Sequence, residues 1–166
     1  LTKNYININF STINSRFYST TKEYSKRIII KLKKSHFDII ELHNRPVMVS
    51  DFVKKINSKI ILYFHNDPRT MKGAKTVSDR IILLNTVDKI IFISNWIKKK
   101  FFEGLPNLSE NKTQVIYHSI DPFTKNTKKY KQIIFVGKLN ESKGYDLFCK
   151  ALFPILEKHT DWKAIS

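Results

Sequence analysis

Six short apolar runs set the rhythm of this chain: "FDIIELH" (37–43), "KIILYFH" (59–65), "DKIIFIS" (88–94), "TQVIYHS" (113–119), "QIIFVG" (132–137) and "WKAIS" (162–166). They are rich in Ile and Val and almost continuous in apolar character. A strand with one face in water alternates polar and apolar residues. Runs without that alternation are predicted to be strands buried on both faces, as in a parallel sheet.

The intervening segments carry a helical period. Thr20 and Glu23 form a capping-box pattern ahead of Tyr24, Ile28 and Leu32, which share one face. Pro46 suits a helix start, and Val49, Phe52, Val53 and Ile56 follow it as an i, i+3, i+4, i+7 stripe. Residues 74–86 predict another helix with Val77, Ile81 and Leu84 inward. Ser94 can cap a helix that runs through Lys100 and closes at Gly104. The last helix is striped by Phe148, Ala151, Leu152, Ile155 and Leu156, and Pro154 is predicted to kink or split it. Strand–helix–strand alternation implies βαβ units and an open α/β fold with parallel, Rossmann-like sheets.

One segment breaks the rhythm. "DPFTKNTKKYK" (121–131) is polar, lysine-rich and opens on Asp-Pro, so it reads as a linker. The expected organisation is residues 1–121 as part of one Rossmann-like domain, 122–131 as the linker, and 132–166 as the start of a second domain. The chain opens on Leu1-Thr2-Lys3-Asn4 and closes on "DWKAIS", the beginning of a strand, so a fragment incomplete at both ends is expected.

The 166 residues suit one ordinary domain or pieces of two, and 42% hydrophobic with 13% aromatic content supports a core and argues against disorder. No apolar run reaches membrane-span length, and the first residues lack a signal peptide's apolar block. The lone Cys149 excludes an internal disulfide and a cysteine-cluster zinc site, and it fits a reducing compartment. The net charge of +16 draws anionic partners. The excess is nearly all Lys, whereas Arg is the better reader of phosphates and base edges, so no specific nucleic-acid partner is expected. Lys, Asn and Ile are high together, as a strongly AT-biased genome would produce, and that bias is taken as the main cause. An anionic membrane surface ranks second as a partner.

In open parallel sheets, ligands bind beyond the carboxyl ends of the strands. Here those ends read Glu41-Leu42-His43-Asn44-Arg45, His65-Asn66-Asp67-Pro68-Arg69, Ser94-Asn95, His118-Ser119 and Gly137-Lys138. Three of the five histidines lie among them. Two of the four glycines, Gly137 and Gly144, flank a strand exit and a helix entrance, each next to a lysine, Lys138 and Lys143. Gly137 permits a tight turn or close approach of a ligand, and Gly144 precedes free N–H groups at a helix start. Such a rim suits an anion, above all a diphosphate. Glycine also punctuates loops for geometry alone, and lysine is abundant here, so the bare pattern carries both readings.

"IIFVGKLNESKGYDLFCKALFPILEKHTDWKAI" resembles the start of the C-terminal domain of GT4-type retaining glycosyltransferases of GT-B fold, where a strand is followed by Gly-Arg-Leu, then Lys-Gly and an amphipathic helix. "VIYHSIDPF" resembles that family's Val-Ile-Pro-Asn-Gly-Val-Asp turn. "DKIIFISNWIKKKF" resembles its Asp-x-Ile-Ile-x-Val-Ser strand and helix, and "DIIELHNRP" and "KIILYFHND" its two preceding strands. The resemblance covers residues 36–166 in order. It implies a two-domain GT-B architecture and transfer of a hexose from a nucleoside-diphosphate sugar, with retention, to a glycan or lipid-linked acceptor, as in cell-surface polysaccharide or lipopolysaccharide synthesis. It implies that Gly137, Lys138, Lys143 and Gly144 hold the donor diphosphate, with Lys138 where the family has Arg. It implies His65 as the catalytic residue near the transferred sugar, with Glu41, His43 and Asn66 as acceptor-cleft residues. No Asp-x-Asp occurs, so neither metal nor other cofactor is expected.

Departures accompany the match. His118-Ser119 replaces Asn-Gly, and the family's glycine-rich loop and acidic Glu-x7-Glu motif fall outside this stretch, so the segment is not expected to catalyse alone. "NWIKKKFFEGL" (95–105) reads either as a solvated helix face or as a surface for an anionic leaflet, with Trp96, Phe101 and Phe102 inserted. The resemblance implies a cytoplasmic protein, peripheral on the inner face of the membrane. Ser94 reads first as a helix cap and His118 as turn chemistry. Two other functions remain open: a Rossmann-like module that binds nucleotide without chemistry, and a basic protein that binds polyanions.

Overall fold

The computed structural model describes residues 20–107, 109–122 and 128–166. Positions 123–127 of the expected linker lie outside the described residues. The chain divides between Ile120 and Asp121 into two compact units.

The N-terminal unit alternates helix and strand without interruption: α1 (Thr20–Leu32), β1 (Ile39–His43), α2 (Val49–Lys55), β2 (Lys59–Phe64), α3 (Val77–Thr86), β3 (Lys89–Phe92), α4 (Asn95–Phe102) and β4 (Thr113–Val115). Its sheet is parallel throughout, with strand order β1-β2-β3-β4. Ile40 stands opposite Ile60, and Leu62 opposite Ile90. Short 3-10 turns at Pro46–Met48 and Pro68–Thr70 follow β1 and β2, each opened by the proline.

Burial is graded across this sheet. In β3, Ile90, Ile91 and Phe92 are all buried, as its uninterrupted apolar run predicts. In β1 only Ile40 and Leu42 are buried, and Ile39, Glu41 and His43 face water. The expectation of burial on both faces therefore fails at β1. Among the described residues it is an edge strand, and its exposed face carries Glu41 and His43.

The core is aromatic. Phe64, Phe92 and Phe101 pack with ring centroids 5.2–5.9 Å apart, and Phe52 is buried beside them. Each such ring contributes about 1.5–3 kcal/mol by leaving water. Several inward faces differ from the sequence reading. Val53 and Val77 are exposed, while Met48 and Arg80 are buried. Glu23 pairs with Arg27 at 2.8 Å, and the reciprocal capping box belongs instead to Thr76 and Asp79 of α3.

The C-terminal unit contains β5 (Gln132–Ile134), α5 (Tyr145–Lys158) and β6 (Lys163–Ile165), with β5 and β6 paired in parallel. Phe135 packs against Tyr145 and Phe148 with centroids 5.1 Å away. Leu152, 8% exposed, is its one buried apolar side chain among the described residues. Helix α5 continues through Pro154 as one element, so the proline does not split it.

Candidate functional site

The carboxyl ends of β1, β2 and β4 assemble a row of imidazoles. His43 closes β1, and Tyr63 is its cross-strand partner in β2. Their rings stack at 4.5 Å with planes 9° apart, the contact that facing positions of paired strands allow. Asn44 then takes a left-handed conformation with φ 52°. Its N–H donates to the Tyr63 carbonyl at 2.9 Å, and its Oδ1 accepts from the His65 N–H at 2.8 Å. The chain leaving β1 is thereby pinned to the end of β2, and His65 is held beside His43.

His43 Nδ1 and His65 Nε2 stand 2.8 Å apart, and His65 Nδ1 and His118 Nε2 stand 3.2 Å apart. The ring centroids lie 5.1 and 5.2 Å apart with the planes 25° and 17° from parallel, so the rings meet edge to edge through these nitrogens. Glu41 Oε2 sits 3.5 Å from His43 Nε2, and the Tyr63 hydroxyl donates to Glu41 Oε1 at 3.5 Å. Burial, then the neighbouring His43 and His118, push the His65 pKa below the ordinary histidine value. Burial and the Glu41 carboxylate push the Tyr63 phenol up. Asn66 lies exposed just past the row. Sequence-selected Glu41, His43 and His65 thus come together. His118, read from sequence as turn chemistry, joins them from three residues beyond β4. Its position at a strand end was the available signal.

Below this row a network anchors the loop after β2. Asp67 caps the turn at Pro68–Thr70 and pairs with Arg69 at 2.8 Å, and Arg69 also reaches Glu103 at 2.9 Å. Buried Arg80 donates to the carbonyls of Ala74, Lys75 and Glu103. Burial lowers its pKa.

The second group of sequence-selected residues lies in the C-terminal unit. After β5 the chain passes Gly137 and Lys138, makes a 3-10 turn at Glu141–Lys143, and enters α5 through Gly144 at φ 73°. Only glycine takes that backbone conformation freely. Asn140 organises the turn. Its carbonyl accepts from the N–H groups of Lys143 and Tyr145, and its Oδ1 accepts from Ser142 at 2.9 Å. The α5 N-terminus has no side-chain cap. A Cβ on Gly137 would stand 3.8 Å from the Lys143 Cβ, so glycine and lysine are neighbours across the loop. Neither Lys138 nor Lys143 pairs with a carboxylate among the described residues.

The proposed leaflet-binding face of α4 loses two anchors. Phe101 is 0% exposed and belongs to the core, and Phe102 packs against that core; Trp96, 56% exposed, remains. Lys98 pairs with Glu110 and Lys100 with Glu103. A shallow depression of about 510 Å³ lies there, floored by Phe102 and rimmed by Lys98, Glu103 and Glu110. No described helix is long and apolar enough to cross a membrane. Among the described residues no group of three or more His, Cys, Asp or Glu side chains is arranged to hold a metal ion.

No protein-family model matches the chain, and no solved structure matches it. Two proteins of Bacillus subtilis (strain 168) do. One, named "Putative glycosyltransferase YtcC", is 31% identical over 160 residues, covering 84% of this chain and 39% of that protein. The likeness supports a glycosyltransferase family. The other, named "Spore coat protein SA", is 25% identical over 158 residues, covering 83% of this chain and 41% of that protein. The chain spans about two fifths of the length of both relatives.

Proposed function

We propose that this chain is part of a GT4-type, GT-B glycosyltransferase that transfers a hexose from a nucleoside-diphosphate sugar to a glycan or lipid-linked acceptor with retention. The observation that carries this reading is the start of α5, which has no side-chain cap and is bordered by Gly137, Lys138, Lys143 and Gly144, with neither lysine paired to a carboxylate among the described residues. Backbone N–H groups and the helix dipole favour negative charge there. Two ammonium groups add the full charge that a departing diphosphate needs. The similarity to a named glycosyltransferase points the same way.

On this reading the C-terminal unit holds the donor. The histidine row of the N-terminal unit, with Glu41 and Asn66 beside it, serves the sugar and the acceptor, and His65 stands at its centre. The leaving diphosphate is neutralised by lysines, so turnover is metal-independent and survives a chelator. A cytoplasmic location with peripheral contact to the inner leaflet suits a lipid-linked acceptor, with Trp96 as the apolar contact.

The test is titration of UDP- and GDP-sugars against the full-length parent protein. Lys143→Ala is expected to weaken donor binding about 10- to 100-fold, the loss of one charge-assisted contact. Unchanged affinity would remove the diphosphate role. Donor binding without turnover in the full-length protein would favour the non-catalytic nucleotide-binding module instead.

A further inference from the structure

Both ring nitrogens of His65 are occupied, Nε2 by His43 and Nδ1 by His118. Neither lone pair nor N–H of this central ring is left for an outside group. The two ends of the row differ. At one end His43 Nε2 faces the Glu41 carboxylate at 3.5 Å. At the other, His118 is exposed and its Nδ1 has no partner among the described residues.

A carboxylate only accepts, so Glu41 orients the whole row. It favours a proton on His43 Nε2. His43 Nδ1 then accepts from His65 Nε2–H, and His65 Nδ1 accepts from His118 Nε2–H. The lone pair left over sits on His118 Nδ1, facing solvent.

We propose that His118 Nδ1 is the proton-accepting end of a three-imidazole relay, and that the charge it takes up is stored on His43 beside Glu41. A proton that binds His118 Nδ1 makes that ring an imidazolium. Its Nε2 proton passes to His65 Nδ1, and the His65 Nε2 proton passes to His43 Nδ1. The outcome is one proton gained, every N···N hydrogen bond reversed, and a His43 imidazolium against the Glu41 carboxylate. The depressed His65 pKa agrees with charge passing through the middle ring without resting there. A second proton is opposed at every ring: a neutral His65 has one N–H and one lone pair, so charging both ends of the row, like charging two neighbours, sets N–H against N–H. Tyr63, which donates to Glu41, and Asn44, which holds the His65 backbone, complete the surroundings.

Resting on the sugar-transfer reading, the proton is that of the acceptor hydroxyl. Its O–H bond breaks, the proton goes to His118 Nδ1, and the oxygen keeps the electron pair that forms the glycosidic bond. The donor diphosphate leaves with the pair of the broken C–O bond.

The test is ¹⁵N NMR of the imidazoles in the 166-residue chain, titrated from about pH 8 to about pH 5. At the alkaline end His118 is expected as the Nε2–H tautomer. On acidification, one proton enters the row, both His43 nitrogens become protonated, and His65 and His118 switch to Nδ1–H together. Glu41→Gln, an exposed change, is expected to abolish the settling of charge on His43. His65→Phe is expected to cut the relay, so that His43 and His118 each take a proton independently. A His118 Nδ1–H tautomer at the alkaline end, or three unlinked titrations in the unaltered chain, would overturn the proposal. Linked titration without sugar transfer by the full-length protein would sink the transferase reading and leave the relay standing. Transfer with unlinked titrations would do the reverse.

Discussion

Gly73 is the most constrained of the glycines. Its φ is 89°, and a Cβ there would lie 2.8 Å from the Val47 Cα and backbone N. Gly73→Ala is therefore expected to cost about 2 kcal/mol or more, through strain and through pushing apart the loop and the turn after β1. Urea denaturation would measure it. Gly144 is different: its φ of 73° favours glycine, but nothing lies within 4 Å. Sequence reading selected Gly144 and passed over Gly73, because a glycine that lets two distant backbones meet leaves no local pattern. Arg80 was passed over for a related reason. Removing its three carbonyl contacts in Arg80→Met is expected to cost about 2–4 kcal/mol, read in the same unfolding experiment.

At the scale of elements, the six apolar runs were enough to read six parallel strands, because length and β-branching left no other assignment. Helix faces were harder. The buried set of α3 and its exit is Arg80, Leu83, Leu84 and Val87, a regular i, i+3, i+4, i+7 stripe. Treating Arg80 as surface shifted the predicted face toward Val77. Ser25 of α1 hid its face in the same way; it is buried and donates to Asp51 at 3.3 Å. The lone-glycine loop at Gly144 and the cap at Ser94 were legible, since each follows from local backbone chemistry. Ser94 accepts from the Ile97 N–H at 3.3 Å. Ser94→Ala is expected to destabilise the N-terminal unit by about 1 kcal/mol in the same urea titration. The histidine row was half legible. Strand ends nominate its members, but the pairing of His65 with His118 depends on where the chain beyond β4 turns back.

Across the whole molecule, charge governs behaviour in acid and in salt. The Arg69 guanidinium holds the Asp67 pKa below its usual range, and Lys100 does the same for Glu103. Both carboxylates bind protons more tightly when unfolded. Their contribution is full above the ordinary carboxylate range and is lost as pH falls through the lowered folded values. Asp67→Asn is expected to flatten the acid limb of a stability-against-pH curve, measured by denaturant titration at each pH. Salt acts on the C-terminal unit. In the 166-residue chain by itself, Val136 there is 90% exposed, Phe153 is exposed too, and among the described residues each strand of the two-stranded sheet keeps one edge unpaired. Bare edges of this kind invite strands from other copies, and a net charge of +16 holds those copies apart. Counter-ions shorten the reach of that repulsion to about 10 Å at 0.1 M. Dilute buffer should therefore keep this 166-residue chain dispersed, whereas brine should turn a clear solution turbid.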